Sequence, residues 1–521
     1  MHHGSIMKTG LTRSGWLLVL SLSVLAAGCS GSDSASGAAS STPTSGTTNN
    51  VGVPPSLDRL IEEGDIVWLD DPILYVLSKT NGFRVVGLGN PSAPQLLARV
   101  PIAGTPVELY LHNGHVLALS STIADASGVS APGSRLSVVD VTTPERATFV
   151  AQVSLQGTVG TSRLVGDVLY TASDSGAIIQ SVNVANPKTP WLVDRLSLTL
   201  GNNGSHVLAT NSTMFVASDV YGGTTSGECT ANTSSGEGCT AITAVDISSP
   251  VGALRRGGSY TLAGMLKDRW GMDYYDGVLR MVVARGQWWS TSARVSATVR
   301  TFQARTPDEL APLGYFSLKT ERYENLMATR FDGPRGYVVT FMQTDPLFTL
   351  DLSDPSQPKL GGYLQTPGWL DYIVPRGDRL LGIGRDRGAS GQWQLQASLY
   401  DVSVLSNPTM LARVPFGGSY STLPDQSDNL AKVVRIIDTL GVLFVPHNST
   451  AVGYGSSPNG RLEILRFTRD TLATLGAITS TDPVLRAVPL PPSHVAAVTD
   501  NDVGIIELGT PLAVPGQVSL R

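Results

Sequence analysis

Three cysteines, seven histidines and eight tryptophans are the side chains of this 521-residue chain best suited to build a site. Cys229 and Cys239 sit in one Gly/Ser/Thr-rich loop with nine residues between them. In an oxidising compartment two such thiols are expected to pair. The alternative is a shared metal, for which two thiolates without a second pair or a nearby histidine are a poor set. The tryptophans show a pattern too. Gly-Gln-Trp occurs twice, ending at Trp288 (followed by Trp289) and at Trp393. An indole on a loop offers a broad flat face and one donor, which suits stacking on a sugar, a peptide or a partner's ring. The same ring can instead fold down over a strand edge. His112, His115, His206, His447 and His494 are too scattered for a common cluster. Asp500 and Asp502 stand at alternate positions like the opening of a calcium loop, but the later acidic ligand is absent, so a turn explains them better. Gly-x-Ser-x-Gly, His-Glu-x-x-His, phosphate-loop and dinucleotide fingerprints do not occur. No catalytic residue, metal or cofactor is assigned. A net charge of −5 without a basic run excludes the electrostatics of nucleic-acid binding.

The elements that position these residues begin with a leader. Lys8 and Arg13 precede an uncharged stretch from Trp16 to Gly28. It is too short to span about 30 Å of hydrocarbon, and has the length of a signal core. It ends in Leu25-Ala-Ala-Gly-Cys29-Ser30, which resembles a bacterial lipobox. The resemblance implies cleavage before Cys29 and a lipid on its thiol, with Ser30 implying sorting to the outer membrane of a Gram-negative cell. An ordinary secretory cleavage site is the alternative. Residues 1–28 are therefore expected to be a lipoprotein signal peptide, 29–55 a flexible Ser/Gly/Thr-rich linker and 56–521 the folded domain. Leu57–Glu63 reads as one helical turn before the first strand.

The domain itself is written as a repeat. Leu136-Ser-Val-Val-Asp140-Val-Thr-Thr-Pro144 is a short apolar strand, an acid, and a turn closed by proline. The pattern returns before Pro187, Pro250, Pro355 and Pro408, with weaker copies elsewhere. The acid caps its own turn and proline ends the strand. Asn113-Gly114, Gly166-Asp167 and Asp276-Gly277 are hairpin signals between strands. Four antiparallel strands repeated about every 50 residues predict an all-β fold, a β-propeller of eight or nine four-stranded blades. The strand-Val-Asp-Val-Ser/Thr-x-Pro run resembles the LVIVD-type repeat and the secreted β-propeller family of bacteria, over about residues 56–521. The seventh and eighth units depart from the tidy repeat.

The phase of the repeat assigns the loops. Connections between second and third strands share a face with those joining one blade to the next. The expected second-to-third connections Ser121–Ser134, Tyr221–Thr240, Arg285–Ala293, Arg385–Gln394 and Asn448–Gly460 are long, whereas the opposite hairpin turns are short. Long loops on a rigid scaffold favour recognition. The expectation is a lipid-anchored extracytoplasmic propeller that binds an envelope or extracellular protein or glycan through its long-loop face, with Trp288, Trp289 and Trp393 as contacts. The alternatives are a hydrolase or lyase acting in the central channel, and a structural envelope protein.

Overall fold

The computed structural model describes residues 61–521 apart from 125–129, 175–177, 199–202, 221–228, 230–237, 285–294, 321–323, 342–344, 389–390, 419–420, 424–429 and 450–458. Nine antiparallel sheets of the propeller follow one another along the chain. Blades 1 to 9 occupy residues 67–100, 105–155, 159–197, 203–263, 272–319, 325–366, 369–416, 435–480 and 486–519. Each runs from an inner strand A to an outer strand D. The expectation of eight or nine blades resolves to nine, because the weak seventh and eighth repeats still form complete blades.

Both faces of a blade are buried, which explains its continuous apolar runs. Leu117, Leu119, Leu136 and Val138 pack towards blade 3, while Val116, Ala118 and Val139 pack towards blade 1. Every C–D pairing carries at least one register shift, for example between Val138 and Val139 and between Leu399 and Tyr400. Such a bulge twists the outer strand and disrupts the edge that another chain could pair with.

The repeated acid is a turn cap, as its spacing predicts. Asp140 accepts from the Thr142 amide at 3.0 Å and from its hydroxyl at 2.6 Å. Asp246 with Ser248 and Asp351 with Ser353 repeat this geometry. The proline turn also reaches across the seam to the preceding blade. A Cβ on Gly257 would meet the Pro307 carbonyl at 2.0 Å, and one on Gly516 would meet that of Pro91 at 2.3 Å. Gly516 lies in blade 9 and Pro91 in blade 1, so the ring closes with the same joint that separates other blades.

Among the described residues, no strand is shared across that closure. Strand D of blade 9 is Ala513–Ser519, and blade 1 supplies all four of its own strands. Asp500 seals the seam. Its carboxylate accepts from the Ser78 hydroxyl at 2.8 Å and the Lys79 amide at 2.7 Å, and also takes both Thr80 donors. The calcium-loop likeness of this stretch thus resolves to an inter-blade clamp.

The start of the domain differs from expectation. Ile61–Glu62 is a strand, not a helical turn, and pairs antiparallel with strand A of blade 3, Ile61 opposite Val165 and Glu62 opposite Leu164. The inner edge of strand A offers unpaired backbone groups, and pairing with them satisfies more hydrogen bonds than one isolated helical turn. The chain then crosses to blade 2, where the Leu109 amide donates to the Asp65 carbonyl at 2.7 Å. Residues 61–66 therefore run along the axis, from the short-turn face towards the long-loop face.

Candidate functional site

Strand ends place the second-to-third connections and the blade-to-blade connections on one face, as the repeat phase predicts. For three of the five expected long connections the flanking strands end close to where expected, at Val220 and Cys239, Ala284 and Val295, and Ser449 and Asn459. The other two shorten, because strands His115–Ala124 with Ser130–Asp140 and Arg379–Arg387 with Trp393–Asp401 continue the ladder. Cys229 and Cys239 are bonded, tying the longest loop to the start of strand C of blade 4. Both half-cystines are buried against Val220.

Trp393 begins strand C of blade 7 and is partly buried. Its ring packs on Trp369 at 4.6 Å, and Trp369 on Phe341 of blade 6 at 4.8 Å. The Arg387 guanidinium lies over Trp393 at 5.1 Å. Trp369 donates through Nε1 to Asp371 at 3.0 Å. Burial pushes the Asp371 carboxyl up, against that hydrogen bond and the charges of Arg385 and Lys267. Trp393 thus belongs to an aromatic cluster on the long-loop face that joins two blades. Trp288 and Trp289 lie outside the described residues, as does Cys29.

Sequence reasoning missed the axis. Glu63 faces three cations brought by three different elements: Arg163 of blade 3 at 3.8 Å, Arg269 in the connection to blade 5 at 2.5 Å, and Lys432 in the connection to blade 8 at 3.7 Å. Burial alone would raise this carboxyl, but the three cations outweigh it and hold it well below the usual carboxylate range. Lys432 also reaches Glu108 at 2.7 Å, and Arg486 of blade 9 reaches Asp65 at 2.7 Å. Gly64 lets the segment lie flat, since a Cβ there would meet Glu108 Cβ at 2.7 Å. Arg330 and Arg435 complete six axial cations; burial favours the neutral form of each, against Tyr372 and Asp268 for Arg330 and against Asp65 and Tyr372 for Arg435. The hints in the sequence were the connections after Ala263 and after Phe416, longer than the other blade-to-blade connections.

Beside this network a cavity of about 370 Å³ opens at the long-loop end of the channel, lined among others by Glu63, Glu108, Asp174, His206, Arg269 and Lys432. His206 is where its spacing put it, on strand A of blade 4 near the channel. Behind it, Asp219 is pushed up to about 6 by burial, with His206 and the Leu266 amide opposing. Burial also raises Asp174. The other histidines do not join them. His112 meets Asp167 at 3.1 Å on the short-turn face, and His447 is buried beside Phe416 in blade 8. Among the described residues, no group of three or more His, Cys, Asp or Glu side chains is arranged to hold a metal.

The model of the beta propeller domain family matches residues 57–192 and 173–484. The chain belongs to that family. Among curated proteins, an uncharacterized protein of Methanocaldococcus jannaschii is 34% identical over 148 residues, spanning 28% of this chain and 22% of that protein. An uncharacterized protein of Archaeoglobus fulgidus is 35% identical over 155 residues, 29% of this chain and 22% of that one. This beta propeller therefore aligns with about a fifth of the length of those relatives. Among solved structures, apo AztD from Citrobacter koseri has a TM-score of 0.41 at 10% identity, covering 82% of this chain and 96% of that one. A likeness of that degree carries neither ligand nor activity to this propeller.

Proposed function

We propose that this beta propeller is a lipid-anchored extracytoplasmic binding scaffold that takes a protein or glycan partner on its long-loop face. The observation that carries the reading is that the strand ends Val220 and Cys239, Ala284 and Val295, and Ser449 and Asn459, between which the long connections run, share one face with the Trp369–Trp393 cluster. Loops mounted on rigid strands can present side chains at fixed spacing while tolerating change themselves. Residue 61 lies at the short-turn end of its ladder. The charged axis is compatible with this role, because its carboxylates and cations hold one another.

The test is affinity capture from native envelopes with the intact chain and with the variant Trp288→Ala/Trp289→Ala/Trp393→Ala. A partner lost by the variant at an unchanged Tm supports the reading, and equal capture by both defeats it. Incorporation of an alkyne-tagged fatty acid that disappears in Cys29→Ala tests the anchor separately; labelling that persists rejects it.

A second reading has one observation in its favour. His206 lines the cavity of about 370 Å³, and Asp219 behind it, pushed up to about 6 by burial, could hold a proton for it. A channel hydrolase or lyase would lose turnover of glycan or ester substrates in Asp219→Asn with folding intact. Absence of any turnover by the native protein across such substrates removes this reading.

A further inference from the structure

One carboxylate at the channel cavity is left without a partner. Asp174 follows strand B of blade 3 and opens onto the space of about 370 Å³. Among the described residues, no hydrogen bond or ion pair reaches its carboxylate. Burial acts on this carboxyl unopposed and raises it, a cost that a counter-charge would relieve. The two cations on the cavity wall are engaged elsewhere. Arg269 holds Glu63 at 2.5 Å, and Lys432 holds Glu108 at 2.7 Å.

The backbone fixes where Asp174 stands. Its amide donates to the Thr158 carbonyl at 2.8 Å, at the end of the A–B ladder of blade 3. On the facing strand the pairing shifts between Val159 and Thr161, with Gly160 between them. A Cβ on Gly160 would collide with Asp174 Oδ1. The glycine thus lets the carboxylate lie over the bulged strand at the cavity wall, and bulges often re-aim side chains beside sites. Across the seam, Ser205 of blade 4 donates its hydroxyl proton to the Ser173 carbonyl at 2.9 Å. That bond commits the proton and leaves the Ser205 oxygen as an acceptor on the same wall as Asp174.

An ammonium group matches these acceptors. It brings one positive charge and three donors, with no acceptor of its own. The space is larger than a bare ion needs, about 370 Å³ against the roughly 30 Å³ of a water in the liquid. Nor do three His, Cys, Asp or Glu side chains gather there among the described residues to coordinate a metal.

We infer that the cavity binds a small primary amine, its ammonium on Asp174 and Ser205. The rest of the molecule lies between strands A of blades 3 and 4, against Thr161 and Val207. The site needs neither a partner on the loop face nor turnover in the channel.

Isothermal titration calorimetry of the purified full chain tests it, with ethanolamine, 1-aminobutane and putrescine, each against the alcohol of the same skeleton. The expected result is saturable binding of at least one amine, with its alcohol weaker by about tenfold or more, the worth of a hydrogen bond to a charged group. Potassium chloride at equal ionic strength should not displace the amine. Asp174→Asn should weaken amine binding by about tenfold or more at an unchanged Tm. Ser205→Ala, which removes one acceptor, and Gly160→Ala, which displaces the carboxylate, should each weaken it several-fold. Amine against alcohol and against potassium is read on the native chain, so that result stands even where a variant fails to fold. The inference is overturned by no saturable binding of any of the three amines, by equal binding of amine and alcohol, by displacement with potassium, or by full affinity in a folded Asp174→Asn.

Discussion

Asp140 and Glu63 are both carboxylates held below their usual range, for opposite reasons. Asp140 accepts two hydrogen bonds from Thr142, followed by help from Lys188, at a partly exposed turn. Asp140→Ala is expected to cost about 1 kcal/mol, the net worth of a turn hydrogen bond, and to leave partner capture unchanged; chemical denaturation measures the first. Glu63 is buried among Arg163, Arg269 and Lys432. Breaking such a buried set costs about 3–5 kcal/mol, so Glu63→Gln should lower the denaturation midpoint far more than Asp140→Ala. The pH dependence has a definite sign. The folded carboxyl ionises below its unfolded value of about 4.3. Its stabilisation is present above that pH and fades as pH falls below it. The native chain should lose stability on acidification below about pH 4, and the Glu63→Gln curve should be flatter there.

At the scale of elements, the longest loop is fastened by Cys229–Cys239, whose separation is 10 residues. Closing so short a ring limits the unfolded chain by about 2–3 kcal/mol. Reductant should lower the melting temperature of the native chain and leave that of Cys229→Ser/Cys239→Ser unchanged; alkylation and mass spectrometry report the thiols directly. The pairing could be anticipated from two cysteines in one loop. The strand at Ile61–Glu62 could not, because Leu57–Glu63 has helix-forming composition and its partner lies some hundred residues away at Val165. Loop lengths 121–134 and 385–394 were overestimated for a related reason. Polar residues such as Ser120, Ser121 and Ser134 look like loop in sequence, yet they are buried in extended ladders.

At the scale of the whole molecule, nine blades close without exchanging a strand among the described residues, so the seam between blades 9 and 1 depends there on ordinary inter-blade joints. Gly516→Ala places a methyl against the Pro91 carbonyl at that seam, and Gly257→Ala does the same at Pro307 between blades 4 and 5. Each is expected to cost about 1–3 kcal/mol by overpacking. Near-equal losses by denaturant titration would mean that the closure is no weaker than an internal seam. A much larger loss at Gly516 would make it the weak point of the ring.

The sequence by itself determined the repeat, the fold class, the turn-capping role of Asp140 and the face to which the long loops belong. These follow from local rules: an acid two residues before a Ser or Thr amide, a proline that ends a strand, an Asn-Gly with both residues at positive φ. Trp393 was legible as an aromatic at a loop end, but its packing on Trp369 was not. The blade count, the mode of closure and the axial network were decided only by the tertiary structure. Glu63, Arg163, Arg269, Lys432 and Arg486 are separated by tens to hundreds of residues and share no spacing. They meet only because a ring turns the inner edge of every blade towards one axis. There, desolvation makes each charge answer to its neighbours across the ring rather than to its neighbours in sequence.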